Sequence, residues 1–343
     1  SATLKMAKMA RELKAQGKDV IDLSLGEPDF DTPVHIKEAA KKALDNGYTK
    51  YTPVNGLLEL RQAIVNKLAR ENDLHYTVNQ IVVSNGAKQS VYNLCMALLD
   101  PGDEVILPAP YWVSYAEIVK MAGGVPVIAN SSIEQDFKST PEEIEALITD
   151  RTKFILYSSP CNPSGSVFSF EELQALALML QAHEHVLVVS DEIYEHINFT
   201  DRHYTIASME GMKDRTVIIN GMSKGYAMTG WRLGYIAGPD WIADACTKIQ
   251  GQVTSGASSF GQKAAAVALE SDHTPTKEMV KAFHQRRDLI INLLEQIPLL
   301  LVNRPQGAFY IFPDVSAYFG RTSTGGYHVK DADDMSLYLL AEA

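Results

Sequence analysis

Short apolar runs rich in Val and Ile alternate with longer segments of helical periodicity along most of the chain. The apolar runs predict buried strands over residues 81–84, 105–107, 126–129, 153–158, 186–190, 216–219 and 232–237. The periodic segments predict helices over residues 33–46, 58–72, 91–99, 111–122, 142–148 and 169–183. Because strands and helices alternate, the pattern favours an α/β fold whose mostly parallel sheet has helices on both faces.

The two ends of the chain follow a different pattern. At the start, the sequence predicts a helix over residues 4–16 and a strand over residues 20–25. Towards the end it predicts helices over residues 241–249, 259–269, 276–294 and 335–342, and a strand over residues 302–312 that Pro305 and Gly307 interrupt. We therefore expect a large domain over residues 27–290 and a smaller α/β domain formed by residues 1–26 and 291–343.

Four small or polar residues come just after predicted strands: Gly86, Asn162, Asp191 and Lys224. Ligands of parallel sheets bind beyond the carboxyl ends of the strands. We therefore expect a single crevice to bring these four residues together.

Lys224 lies on a turn between two predicted strands. In a crevice, desolvation and nearby cations lower the pKa of a lysine and leave part of it as a free amine, which attacks carbonyl groups. Arg232, eight residues on, carries a guanidinium whose fork matches a phosphate. The pair suggests pyridoxal phosphate (PLP), an aldehyde cofactor with a phosphate group. This stretch alone fits a solvated turn lysine equally well.

The other groups that such a cofactor needs also have candidates. Asp191 could keep the pyridine nitrogen protonated, and Asn162 and Tyr194 could donate hydrogen bonds to the ring oxygen. Trp112 could stack on the ring, and the helix start after Gly86 offers N–H groups to an anion. Each has an ordinary alternative: helix capping for Asp191, turn formation for Asn162 and Gly86, and core packing for Tyr194 and Trp112.

Charge and cysteine content narrow the choice of partners. The 343 residues carry a formal net charge of -11, from 31 Lys and Arg against 42 Asp and Glu. This balance argues against a nucleic-acid groove and against binding to an anionic membrane surface. The three cysteines are far apart and form no Cys-x-x-Cys motif, which argues against zinc and fits a reducing compartment. No apolar run reaches the roughly 20 residues of a membrane helix. From the charge, the cysteines and this pattern together, we expect a cytoplasmic protein without a metal.

Five ordered motifs resemble a known family. They are Ser223-Lys224 with Gly230-Trp231-Arg232-Leu233-Gly234, Asn162-Pro163-x-Gly165, Asp191-Glu192-x-Tyr194, Gly26-Glu27-Pro28-Asp29-Phe30 and Tyr111-Trp112-x-x-Tyr115. Together they resemble the class I aminotransferases of PLP fold type I, most closely the bacterial aspartate aminotransferase branch. The resemblance covers nearly the whole chain.

For the cofactor, the resemblance implies a covalent bond to Lys224, which would also move the proton between the substrate Cα and the cofactor. It implies that Asp191 pairs with the pyridine nitrogen, and that Asn162 and Tyr194 bind the ring oxygen. The phosphate would be bound by Arg232 and by the backbone of Gly86, Ala87 and Lys88. Tyr51 would reach the phosphate in the site of a neighbouring subunit, and Trp112 would stack on the ring face. A homodimer with shared sites is therefore expected.

For the substrate, the resemblance implies transamination between an amino acid, L-aspartate by preference, and a 2-oxo acid such as 2-oxoglutarate. The amino-acid substrate would be contacted by the Gly26 N–H, Trp112 and Asn162. A carboxylate on its side chain would be bound by Lys88 together with Ser1 and Thr3. Lys88 could equally serve the phosphate alone. A C–S lyase, a decarboxylase, or an aminotransferase for aromatic or other amino acids remains an alternative on the same fold. A PLP-sensing domain without turnover is disfavoured because no basic DNA-binding segment is present.

Two positions depart from the family's pattern. Gly221 stands where the family often places a phosphate-binding hydroxyl, three residues before the lysine. The family's arginine for the substrate α-carboxylate lies in a C-terminal segment, and no arginine follows Arg321 here. We therefore expect the natural chain to continue beyond Ala343.

Overall fold

A seven-stranded sheet forms the centre of the computed structural model. The structure describes residues 2–23 and 25–342, with side chains from Met6 onward. Its strands are β1 (Ile81–Ser84), β2 (Glu104–Pro108), β3 (Val125–Ala129), β4 (Thr152–Ser158), β5 (Leu187–Asp191), β6 (Thr216–Gly221) and β7 (Gly234–Ala237). The strand order is β1-β7-β6-β5-β4-β2-β3, and β7 alone among these strands runs antiparallel to its neighbours. The predicted mostly parallel sheet is therefore confirmed.

Helices cover both faces of this sheet. The α-helices of the described residues are α1 (Ala2–Ala15), α2 (Val34–Asp45), α3 (Leu58–Asn72), α4 (Ala87–Leu98), α5 (Ser114–Met121), α6 (Pro141–Glu145), α7 (Phe170–Leu180), α8 (Asp240–Val253), α9 (Ser259–Glu270), α10 (Thr274–Leu294) and α11 (Ala332–Glu342). Successive side chains of a strand point to opposite faces. Ile218 of β6 accordingly packs in the cluster with α2, α3 and α9, whereas Val217 and Ile219 pack in the cluster with α4, α5 and α8. In the described part of the chain, none of the helices could cross a membrane.

Two strand predictions are wrong. The described positions among residues 20–25 form no strand, and the side chains of Ile21 and Leu23 are 83% and 85% exposed. β-propensity yields a strand only where a neighbouring backbone supplies hydrogen bonds. Residues 302–312 also form no named strand; Gly307 makes an isolated bridge to Asn198, and Ala308 has a left-handed φ of 56°. A chain that turns in this way cannot keep a strand register.

The C-terminal region adds a short hairpin, in which β8 (Arg321–Thr322) pairs with β9 (His328–Val329). α10 runs without a break through residue 290, the predicted boundary between the two domains. The division of the chain into residues 27–290 and residues 1–26 with 291–343 stays a prediction.

A buried ion pair lies beneath the carboxyl edge of the sheet. Lys67 of α3 is completely buried and contacts the carboxylate of Glu195, and its ammonium also donates to Asn72 Oδ1 at 2.8 Å. Asn220 at the end of β6 donates to Glu195 Oε1 at 2.8 Å. Burial would raise the pKa of Glu195, but the Lys67 ammonium and the nearby His196 and His203 together outweigh burial and hold this pKa well below its usual range. The pair therefore joins α3, the segment after β5 and the end of β6.

Replacing Lys67 with alanine should lower the stability of the protein strongly. The Glu195 carboxylate would then be buried without its partner, which typically costs about 3–5 kcal/mol. Urea denaturation followed by circular dichroism measures the effect. The matched control is Lys41→Ala, which breaks an ion pair with Glu38 whose side chains are 67% and 59% exposed, and which should cost about 1 kcal/mol or less. Equal losses in the two variants would contradict the importance of the buried pair.

Candidate active site

The predicted site residues lie past the carboxyl edge of the sheet. Gly86 follows β1, Asn162 follows β4, Asp191 ends β5, and Lys224 lies between β6 and β7. Because β1, β4, β5 and β6 point in the same direction, the structure brings all four residues to the same edge of the sheet.

Lys224 is partly buried, and its ammonium donates to the carbonyl oxygen of Gly26. The same nitrogen lies 5.7 Å from the ring centroid of Tyr194 and 5.6 Å from that of Phe309. Burial lowers the pKa of Lys224 to about 8; Glu27 opposes this shift, and the Arg232 cation adds to it. Near neutral pH a useful fraction of this side chain is therefore a free amine.

Asp191 is 4% exposed, and its carboxylate accepts a hydrogen bond from the Tyr115 hydroxyl at 2.6 Å. It also accepts the Ile193 N–H at 3.2 Å. Burial raises the pKa of Asp191 to about 6, although the bond from Tyr115 works against the shift. Asp191 is thus a carboxylate at neutral pH that can still hold a proton shared with a partner. The ring of Trp112 packs edge-on against Tyr115, with 5.5 Å between centroids.

Tyr194 and Asn162 meet at a third polar side chain. The hydroxyl oxygens of Tyr194 and Tyr310 are 2.5 Å apart, and Asn162 Nδ2 donates to the Tyr310 hydroxyl at 3.4 Å. A Cβ atom added to Gly26 would lie 2.1 Å from the same hydroxyl oxygen. Gly26, Asn162, Tyr194 and Lys224 therefore form one connected group through Tyr310.

A cationic cradle surrounds the start of α4. Gly86 has a φ of 83°, and a Cβ atom there would lie 2.5 Å from Arg232 Nη2. Among the described residues no side chain caps α4, so its first N–H groups, those of Ala87 and Lys88, have no capping partner. The Lys88 ammonium lies 4.6 Å from the ring centroid of Trp112, and burial together with Arg232 lowers its pKa. Positive charge thus converges on the N-terminus of a helix, where an anion is stabilised.

The glycine at position 221 has a steric reason. Gly221 pairs with Gly234 across β6 and β7. A Cβ atom on Gly221 would lie 2.7 Å from the Leu233 carbonyl oxygen and 2.8 Å from Gly234 Cα. A hydroxyl-bearing side chain does not fit at this position, so the phosphate-binding hydroxyl expected from the family's pattern has no room.

Three further residues were predicted to contribute to the site. The side chain of Tyr51 is 99% exposed. Ser1 lies outside the described residues, and the side chain of Thr3 is likewise outside them. Their predicted contacts stay predictions.

Two residues of the site were not identified as functional from the sequence. Tyr115 lies in α5 and Tyr310 in an irregular segment, and their partners Asp191 and Tyr194 are 76 and 116 residues away in the chain. Tyr115 belongs to the motif Tyr111-Trp112-x-x-Tyr115, but the motif assigned it no role. No local pattern distinguishes Tyr310 from the other tyrosines.

The chain is similar to characterised proteins over its full length. Residues 18–342 match the family described as aminotransferase class I and II. The aspartate/prephenate aminotransferase of Cereibacter sphaeroides is 48% identical over 344 residues, covering 100% of this chain and 86% of that protein. The bifunctional aspartate aminotransferase and glutamate/aspartate-prephenate aminotransferase of Petunia hybrida is 46% identical over 347 residues, covering 100% and 72%. The crystal structure of the aspartate aminotransferase from Rhizobium meliloti has a TM-score of 0.95 and 44% identity, covering 99% of this chain and 85% of that one.

In the cofactor-free protein, the Lys224 amine should react with half its maximal rate near pH 8, the value to which burial lowers its pKa. An exposed lysine has a pKa of about 10.4 and should react fully only at higher pH. Reductive methylation across this pH range, quantified for each lysine by mass spectrometry, gives both profiles in one sample. A Lys224 profile that coincides with those of the exposed lysines would contradict the buried-amine assignment.

Proposed function

The chain belongs to the family of class I and II aminotransferases and is an aminotransferase, and we propose that it transfers the amino group of L-aspartate to a 2-oxo acid such as 2-oxoglutarate, with PLP as cofactor. The observation that carries the proposal is the buried Lys224 amine, whose pKa is lowered to about 8 beside the cationic cradle of Gly86 and Arg232. An amine nucleophile next to an anion site matches an aldehyde that carries a phosphate.

The residues present fit this cofactor. The phosphate would be held by the Arg232 guanidinium and the N–H groups of Ala87 and Lys88, at a place where a Cβ on Gly86 would collide with Arg232. Asp191 is the buried acid that the pyridine nitrogen requires, and Trp112 offers an aromatic face nearby.

PLP supplies an aldehyde that condenses with amino groups and a ring that accepts the electrons of a broken Cα bond. The protein supplies proton transfer and orientation. Lys224 would take the proton from the substrate Cα and deliver it to the cofactor. A pKa of about 8 suits a group that both accepts and releases a proton near neutral pH. Asp191 would hold the proton on the ring nitrogen, and Tyr194 with Asn162 would donate to the ring oxygen. Gly26 would bind the substrate carboxylate through its backbone N–H.

Lys88 supports the choice of an acidic donor. Its ammonium projects beside Trp112, so it can pair with the side-chain carboxylate of aspartate as well as with the phosphate. The names of the relatives from Cereibacter sphaeroides and Petunia hybrida also include prephenate. We propose prephenate, a 2-oxo acid with a second carboxylate, as a further acceptor for the same site.

Tyr51 supports a homodimer. A tyrosine side chain that is 99% exposed buries no apolar area within its own chain. We propose that it reaches the phosphate in the site of a second copy. Mixing inactive Lys224→Ala with a weakened Tyr51→Phe protein should then restore activity, because hybrid dimers contain one site with both native residues. Subunits that stay separate in sedimentation, or mixtures without any gain in activity, would contradict the shared site.

Replacing Lys224 with alanine should abolish the visible absorption band of the bound cofactor and reduce transamination by several orders of magnitude, because both the covalent bond and the proton acceptor are lost. Absorbance at neutral pH and a coupled assay with aspartate and 2-oxoglutarate measure the two effects. Lys120→Ala is the control, since Lys120 lies on the surface in an ion pair with Glu117. Turnover like that of the unmodified enzyme in the Lys224 variant would overturn the assignment.

The same assay separates the alternatives. An aminotransferase needs an added 2-oxo acid, whereas a lyase or decarboxylase releases product without one. A panel of aspartate, glutamate and phenylalanine tests the donor, and loss of the preference for aspartate in Lys88→Ala would support carboxylate recognition by Lys88. An equal loss with all three donors would instead assign Lys88 to the phosphate.

A further inference from the structure

Tyr310 occupies the centre of the hydroxyl and amide groups that face the proposed cofactor. Its oxygen lies 2.5 Å from the Tyr194 hydroxyl and 3.4 Å from Asn162 Nδ2. Its ring packs on Phe309 and Tyr194, with centroid distances of 4.9 and 5.6 Å. The hydroxyl also lies against Gly26, where a Cβ atom would come within 2.1 Å of it. Packing thus holds the ring, and a glycine leaves the room that the hydroxyl needs.

The donors and acceptors in this group can be ordered. The Asn162 amide nitrogen only donates, so the Tyr310 oxygen accepts from it. The single proton of Tyr310 is then free to point at the Tyr194 oxygen, the other partner at hydrogen-bonding distance. In this order Tyr194 accepts the bond from Tyr310, and its own proton is available to a different acceptor. Bonds that run in one direction along such a chain strengthen one another.

We propose that Tyr310 is a positioning residue that donates its hydroxyl proton to Tyr194 and thereby directs the Tyr194 proton at the ring oxygen of the cofactor. The inference rests on the proposed function, which places that oxygen opposite Tyr194. Burial raises the pKa of Tyr310 to about 12, so the hydroxyl keeps its proton throughout the working pH range.

The effect should be visible in the titration of the bound cofactor. A donor to the ring oxygen withdraws electron density from it, and so lowers the proton affinity that this oxygen shares with the Lys224 nitrogen. Without the Tyr310 hydroxyl, Tyr194 is a weaker and less well oriented donor. The proton should therefore be held more tightly, and the apparent pKa of the visible band should rise.

The test is Tyr310→Phe in the holoenzyme, which removes the hydroxyl and keeps the ring. Absorbance spectra from pH 5 to pH 10 should show an apparent pKa that is higher by about half to one unit, the effect of one hydrogen bond. Tyr194→Phe should raise it further, and adding Tyr310→Phe to Tyr194→Phe should change nothing more, because the intermediary is gone. Tyr327→Phe, whose ring packs on Tyr338 in the C-terminal region, is the matched control.

A second measurement is cofactor affinity, obtained by equilibrium dialysis of the cofactor-free proteins, which should be about two- to tenfold weaker in Tyr310→Phe. The proposal is overturned if Tyr310→Phe titrates like the unmodified enzyme, or if it shifts the pKa equally with and without the Tyr194 hydroxyl. It is also overturned if Tyr194→Phe leaves the titration unchanged. None of these results touches the assignment of Lys224, because that assignment depends on the presence of the visible band and not on its pKa.

Discussion

The buried ion pair between Lys67 and Glu195 is the constraint on which the site depends. An ammonium and a carboxylate without water are stable only together and with their remaining hydrogen bonds satisfied. Their partners Asn72 and Asn220 satisfy those bonds. Glu195 directly follows Tyr194 in the chain, and Asn220 lies one residue before the end of β6, the strand that leads to Lys224. The pair thereby holds the backbone from which both of these site residues project.

Burial shifts the pKa values of an acidic and a basic residue of the site in opposite directions. Loss of water raises the pKa of Asp191 to about 6 and lowers that of Lys224 to about 8. The pKa of each group is thereby shifted towards neutral pH, where a side chain can both accept and release a proton easily. The overall charge of -11 would repel an anion, so an anion would have to be held by local groups: Arg232, Lys88 and the start of α4.

The sequence was informative where a local pattern carries the structure. Short apolar runs define β4 to β6, and a lysine between two such runs was correctly placed on a turn at the sheet edge. It was uninformative where the structure depends on contacts between distant segments. The bonds of Tyr115 and Tyr310 join distant parts of the chain, and the close approach of Gly221 to Gly234 requires knowledge of how β6 pairs with β7. The two wrong strand predictions show the same limit, because composition alone does not reveal whether a neighbouring strand lies alongside residues 20–25 or 302–312 to pair with them.

Arg232 connects anion binding to the protonation of Lys224. Its charge lowers the pKa of Lys224, and its guanidinium lies at the anion cradle beside Gly86. An anion bound to Arg232 neutralises that charge and so restores part of the proton affinity of Lys224. The protonated fraction of Lys224 is therefore larger when an anion occupies the cradle than when the cradle is empty. Arg232 thus links occupancy of the anion cradle to the protonation of the amine.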